Sequence, residues 1–368
     1  MTVLSCRVRL RRRSDVLLAT VAAVVASSVF GVLATAWLWP RRPGQQTGRA
    51  SPGAPESRSG GCSTGSRCCS LTAEQVADAG VPSDSAEAVA QLAEAVGAQG
   101  QEPLSDPLTL LRFYNARGKD VKEAAAMYQQ AIEWRRSYSI REVMAEHGLG
   151  EDYQEDGVRA TTTASWRWQS EPRSPGAKLA YLYGFFGRLD APSKGGAPVL
   201  VWRAGAADYA GLVREGLVPA LTRAFVAHLE DALQSSRAAS LREGQLLRAR
   251  LIVDSSGLGI GCVRFLPILR EILTLGKFYF PEVTASVTVV RAPWVAAKLY
   301  AALRPRLTPL MQEKIFILGE DFQEGLERHS GLSLAALPTF LGGSADDTAV
   351  GKALPVPVGA GRLLTGGE

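Results

Sequence analysis

Between Leu71 and His147 the apolar positions recur every three or four residues; from about Ala180 they gather into short continuous runs. The first pattern predicts helices, the second buried strands. Thr72 with Gln75 forms a capping-box pattern, with Leu71 and Val76 placed as a staple. Ser83–Val96 is an Ala/Glu-rich helix stopped by Gly97. Asp106 before Pro107 is a favourable N-cap pair for a helix that ends at Gly118. Asp120 with Glu123 opens another, on which Val121, Ala124, Tyr128, Ala131 and Ile132 share one stripe. Residues 71–150 therefore read as a small helical bundle.

Beyond it, LAYLYGFFGRL and APVLVWRAG, separated by SKGG, read as two strands with a short connection. Pro219–Gln234 is amphipathic, with Leu221, Phe225, Leu229 and Leu233 on one stripe. Arg250–Asp254 and Ala285–Val290 are β-branched apolar runs, and Val263–Leu275 between them is a helix that is apolar nearly all round. Strand, helix and strand at this spacing form a right-handed crossover. Lys314–Leu318 is a further short strand. Residues 151–343 thus make an α/β lobe, and 344–368 a disordered tail.

The first 70 residues follow neither pattern. Residues 1–15 are a basic N-terminus. Val16–Trp39 is 24 residues without a charge, enough to span the roughly 30 Å hydrocarbon core of a bilayer. Trp37 and Trp39 sit at one end as interface anchors do, and the arginines before the segment outweigh Arg41 and Arg42 after it. The expectation is a transmembrane helix and a single-pass membrane protein. The alternative is a secretory or organellar protein after cleavage of an N-terminal signal, for which Ala34-Thr35-Ala36 offers a site. Residues 41–70, rich in Gly, Ser, Pro and Arg, predict a flexible linker.

Charge sharpens this division. Of the formal +5, residues 1–15 contribute +4 and residues 41–70 another +4, which leaves −3 for the rest. The folded part has no electrostatic footprint for nucleic acid. His147, His228 and His329 lie far apart without ligand-spaced neighbours, so no metal site is expected. Cys62, Cys68 and Cys69 cluster in the linker, as exposed thiols or as sites of lipidation or disulfide formation; Cys262 packs as a small hydrophobe. Asp254-Ser255-Ser256-Gly257 lacks the glycine two before the serine that a nucleophile elbow requires, and GLGIG lacks the third spacing of a dinucleotide fingerprint. No enzyme is expected.

Five segments carry a resemblance: DPLTLLRFYNARGKDVKEAAAMYQQAIEWRR, LIVDSSGLGIG, KFYFPEVTASVTVVRAPW, EKIFILGEDF and LPTFLGG. In order and rough spacing they resemble landmarks of the CRAL-TRIO lipid-binding family. The resemblance implies an N-terminal helical bundle packed on a CRAL-TRIO-like lobe with a mixed β-sheet, and a gating helix over a lipid cavity. The gate and cavity candidates are Trp294, Val295, Leu299, Tyr300 and Leu303. Phosphoinositide-binding members are similar to one another at four positions, matching Arg117, Lys314, Val283 (which follows Glu282) and Met311; Arg117 and Lys314 keep a cation. Val283 and Met311 depart from the basic residue and the hydroxyl expected there, which weakens a phosphatidylinositol preference. Arg117, Lys314 and Glu282 are the headgroup candidates, with an ion pair to Glu282 as the structural alternative.

The function this implies is binding of one phospholipid or other hydrophobic small molecule, which is transferred or presented at membranes. The alternative is a membrane-tethered module that recruits a protein partner without lipid transfer. The implied partners are the lipid, a membrane and, on the second reading, a protein. No cofactor is expected beyond the bound lipid.

Overall fold

A computed structural model describes residues 71–97, 104–147, 186–189, 192–258, 265–307 and 309–345. The helical half comprises α1 (Ala73–Asp78), α2 (Ser83–Ala95), α3 (Pro107–Ala116), α4 (Val121–Ser137) and α5 (Ile140–Glu146). Their starts follow local capping chemistry. Thr72 and Gln75 exchange both bonds of the capping box, at 3.2 and 2.9 Å. Asp106 accepts from the Thr109 N–H at 2.9 Å, and Asp120 from the Glu123 N–H at 3.0 Å. Gly97 and Gly118 take the left-handed backbone after α2 and α3, a conformation that costs glycine little.

The lobe holds β1 (Phe186–Arg188), β2 (Val199–Trp202), α6 (Tyr209–Arg214), α7 (Val218–Glu243), β3 (Ala249–Asp254), α8 (Leu266–Tyr279), β4 (Thr284–Val290), α9 (Trp294–Leu303), α10 (Pro309–Lys314), β5 (Ile315–Ile317) and α11 (Gln323–Ser330). The strands form one mixed sheet in the order β1-β2-β3-β4-β5. β1 runs antiparallel to β2, and the other three pairings are parallel. Helix α7 runs well past the predicted Gln234, because its second half packs against the helical bundle as well as the sheet. Cys262 lies outside the described residues.

Strand order equals chain order, and this decides where everything else goes. Each parallel step is a right-handed crossover in the same direction, so α7, α8 and the α9–α10 pair share one face of the sheet. The other face packs on α11 and the segment after it, through Val199, Val201, Ile252, Val290, Phe322 and Leu326.

Ionic contacts, two of them buried, tie the helical half to the lobe. Arg135 on α4 pairs with Glu230 on α7, and Arg237 on α7 pairs with Asp106 at the start of α3. Arg223 on α7 holds Glu146 on α5 through two bonds, at 2.7 and 3.0 Å. Trp134 on α4 stacks on Tyr279 of α8 with ring centroids 4.1 Å apart.

The single-pass localisation is corrected. Among the described residues no helix is long and apolar enough to cross a membrane. Val16–Trp39, the linker 41–70 with Cys62, Cys68 and Cys69, and the tail beyond Ala345 all lie outside the described residues. A transmembrane helix therefore has no place in the fold as described.

Candidate functional site

Two neighbouring features compose the site: an apolar sheet face and a charged cluster at one end of it. The face is set by alternation along the strands. Register places Leu200 beside Leu251, Leu251 beside Val287 and Val287 beside Ile315; one step on, Trp202, Val253, Val289 and Ile317 form a second row. No polar side chain interrupts these two rows. Trp202, Leu251, Val287 and Ile317 remain half-buried there, while Leu200, Val253, Val289 and Ile315 are buried; on the opposite face Val199, Val201, Ile252, Thr288 and Val290 are buried, and Arg250 and Phe316 are half-buried. The face that lies under the crossover helices is thus the less completely covered of the two.

The connection from β4 to β5 runs across this face as α9 and α10. Of the predicted gate residues, Trp294 opens α9 and is 61% exposed, with the Lys298 ammonium 5.2 Å from its ring. Tyr300 is buried, and its hydroxyl donates to the Ile315 carbonyl at 2.7 Å. Burial pushes the Tyr300 hydroxyl up from its ordinary pKa, against an opposing effect of Arg304. Val295, Leu299 and Leu303 lie on α9, but their side chains are outside the described residues.

The charged cluster follows from parallel pairing. Arg248 stands just before β3, Glu282 just before β4 and Lys314 just before β5. Three adjacent parallel strands begin at the same edge, so these three side chains converge. The Glu282 carboxylate is 4% exposed; it accepts from Arg248 Nη1, and from Lys314 Nζ at 3.1 and 3.2 Å. Burial holds Lys314 below the ordinary lysine range; Glu282 opposes that shift and Arg248 adds to it. Below the cluster, Arg112 of α3 has no exposure. It donates to the carbonyls of Glu282 (2.8 Å) and Leu247 (2.5 Å), and to Ser240 Oγ at 3.3 Å. Burial lowers its pKa to about 10.

Of the headgroup candidates, the structure joins Lys314 to Glu282. Arg117 caps the C-terminal end of α3, where its charge acts on Lys277 of α8. The Met311 side chain lies outside the described residues. Val283 is buried in the core shared by both halves of the chain, so the position offers no room for a solvated cation. Sequence reading missed Arg248 and Arg112. Arg248 carries a signal in hindsight: it directly precedes a predicted strand, as Lys314 does.

The serine segment is structural. Ser255 Oγ donates to the Val290 carbonyl at 2.7 Å, and His329 stacks on Phe316 at 3.5 Å between ring centroids. Asp254 accepts from Arg291 Nη1 at 3.1 Å and from the Ser256 N–H at 3.0 Å. Among the described residues no group of His, Cys, Asp and Glu could hold a metal ion.

Residues 184–343 match the CRAL/TRIO domain family. The chain is 27% identical over 260 residues to the CRAL-TRIO domain-containing protein T23G5.2 of Caenorhabditis elegans, covering 67% of this chain and 31% of that protein. It is 26% identical over 245 residues to the SEC14 cytosolic factor of Eremothecium gossypii, covering 66% of this chain and 70% of that protein. The crystal structure of Sfh5 superposes at a TM-score of 0.39 with 12% identity, over 61% of this chain and 70% of that one. The matched region thus spans less than a third of the nematode relative and more than two thirds of the fungal one. The resemblance to the CRAL-TRIO family is thereby shown for residues 184–343. The match to this lipid-binding domain supports binding of a hydrophobic ligand. Such proteins are generally not enzymes.

Proposed function

We propose that the lobe binds one phospholipid or similar hydrophobic molecule against the Leu200–Ile317 face, beneath α9 and α10, and transfers or presents it at membranes. One observation carries this reading: the apolar rows under the crossover helices are half-buried at Trp202, Leu251, Val287 and Ile317, while the opposite face is buried at Val199, Val201, Ile252, Thr288 and Val290. A uniform core would cover both faces alike. Burying about 25 methylene groups there would favour the bound lipid by roughly 20 kcal/mol before losses. A bilayer offers similar burial, so exchange between bilayer and protein is near neutral. The exposed Trp294 at the start of α9 gives the covering segment an apolar contact with a membrane surface.

Two measurements test the reading. Mass spectrometry of the purified full-length chain should find co-purified lipid, and labelled lipid should move between donor and acceptor vesicles in its presence. Val287→Trp, which fills the half-buried face, should reduce lipid uptake at least tenfold while the protein stays folded. Undiminished uptake by a folded Val287→Trp variant would place the ligand elsewhere.

A further inference from the structure

We propose that the Tyr300 hydroxyl latches the α9–α10 segment over the apolar face, so that Tyr300 is a positioning residue that sets how fast a bound ligand exchanges. The inference rests on the lipid-binding reading above and adds what holds the face covered.

The bond follows from where β5 stands. It is the last strand in the sheet order and pairs with β4. The Leu318 N–H donates to the Val289 carbonyl at 2.8 Å. Backbone groups alternate in direction along a strand, so the Ile315 carbonyl, three residues earlier, points away from β4. A buried carbonyl on the outer edge of a sheet requires a donor from elsewhere. Ile315 is 3% exposed, and the Tyr300 hydroxyl supplies that donor at 2.7 Å.

Placement gives the bond its leverage. The covering segment leaves the sheet after β4, where the Arg291 and Ala292 N–H groups donate to the Gly319 and Leu318 carbonyls at 3.2 and 2.9 Å. It returns to the sheet at Ile315. The sheet fixes both ends, and Tyr300 lies on the span between them. Ala296 and Tyr300, one turn apart, are buried, whereas Trp294, Lys298, Ala301 and Ala302 are exposed. Gln312 of α10 donates to the Leu307 carbonyl at 2.9 Å, which ties α10 to the turn after α9. The cover is thus bonded within itself and lifts as one piece.

A ligand beneath α9 and α10 leaves when that piece lifts, and lifting parts the Tyr300 hydroxyl from the Ile315 carbonyl. Both groups are buried, so the bond is stronger than it would be in water and its loss is not made good until water enters. Burial also raises the Tyr300 pKa, which keeps the hydroxyl a donor at neutral pH.

Tyr300→Phe keeps the ring and removes the donor, a change of one atom. Tyr209→Phe is its control: that hydroxyl donates to the Ala204 carbonyl at 3.2 Å, also buried, but from α6 and outside the cover. The full-length chain and both variants are followed by amide hydrogen exchange and by transfer of pyrene-labelled phosphatidylcholine or phosphatidylinositol between vesicles. Tyr300→Phe should exchange amides across residues 294–314 about tenfold faster, with β3 unchanged, and transfer lipid about tenfold faster, the effect of losing one buried hydrogen bond. Tyr209→Phe should match the parent in both. Unchanged hydrogen exchange over the cover, or unchanged transfer, in folded Tyr300→Phe overturns the inference while leaving lipid binding intact. Equal acceleration in Tyr209→Phe overturns it too, because the effect is then a general loosening. A parent protein that takes up neither labelled lipid overturns the lipid-binding reading itself, and with it the role in ligand exchange.

Discussion

Arg112 Nη1 lies 2.8 Å from the backbone carbonyl of Glu282, across 170 positions of sequence. Glu282 takes a left-handed backbone with φ of 51°, which a non-glycine residue adopts at a cost of about 1–2 kcal/mol. Arg112 thus holds a strained turn of the lobe from within a helix of the other half, and that turn aims the Glu282 carboxylate at Arg248 and Lys314. Arg112→Met removes these donors and leaves the Glu282 and Leu247 carbonyls unsatisfied. The expected loss is about 3 kcal/mol or more of unfolding free energy, read as a lower urea midpoint of the full chain.

Val283→Arg would restore a basic residue where phosphoinositide-binding members of the family carry one. The side chain here would enter the shared core beside Phe280 and Ala249 rather than the cluster. We expect a loss of roughly 3 kcal/mol or more, from a buried unpaired charge, and no gain in phosphatidylinositol binding. Thermal denaturation together with lipid uptake checks both halves; a stable variant with stronger binding would contradict them.

Gly205 makes close contact with the serine turn. A Cβ added there would stand 1.9 Å from the Ser256 carbonyl oxygen, and backbone cannot move aside as a side chain tip does. Gly205→Ala should therefore shift the turn after β3 and destabilise the protein by about 2 kcal/mol. A denaturation midpoint within error of the parent would show that the turn yields freely.

His147 and His228 are buried, and both are held below the ordinary imidazole range. Burial is the leading cause for each. For His228 the charges of His147 and Arg188 add to it, while for His147 the Val143 carbonyl and Glu146 oppose it. A base whose pKa is depressed by folding takes its proton first in the unfolded chain. Its contribution to stability is therefore full above about pH 6.5 and declines as pH falls below that. Each histidine that stays neutral should steepen the decline by up to about 1.4 kcal/mol per pH unit. Urea midpoints between about pH 7.5 and about pH 5.5 should fall, and His228→Gln should flatten the curve.

What the sequence determined by itself was local and periodic. Thr72, Asp106 and Asp120 announce helix starts because a capping side chain bonds a neighbour two or three residues away. The runs Arg250–Asp254 and Ala285–Val290 announce strands because β-branched apolar residues suit a pleated, buried backbone. The Lys314–Glu282 ion pair was open to expectation through the resemblance, but the arrival of Arg248 beside it was not legible, because it depends on three strands lying parallel, adjacent and in register, which is a property of the sheet and not of any one segment. Nor could a continuous apolar run such as LIV reveal which of its two faces stays half-covered: strand order placed α7 to α10 on one side and α11 on the other. Val283 shows the same limit from the other direction. Its place in the sequence matched a headgroup residue, but packing between the two halves of the chain turned it into the core.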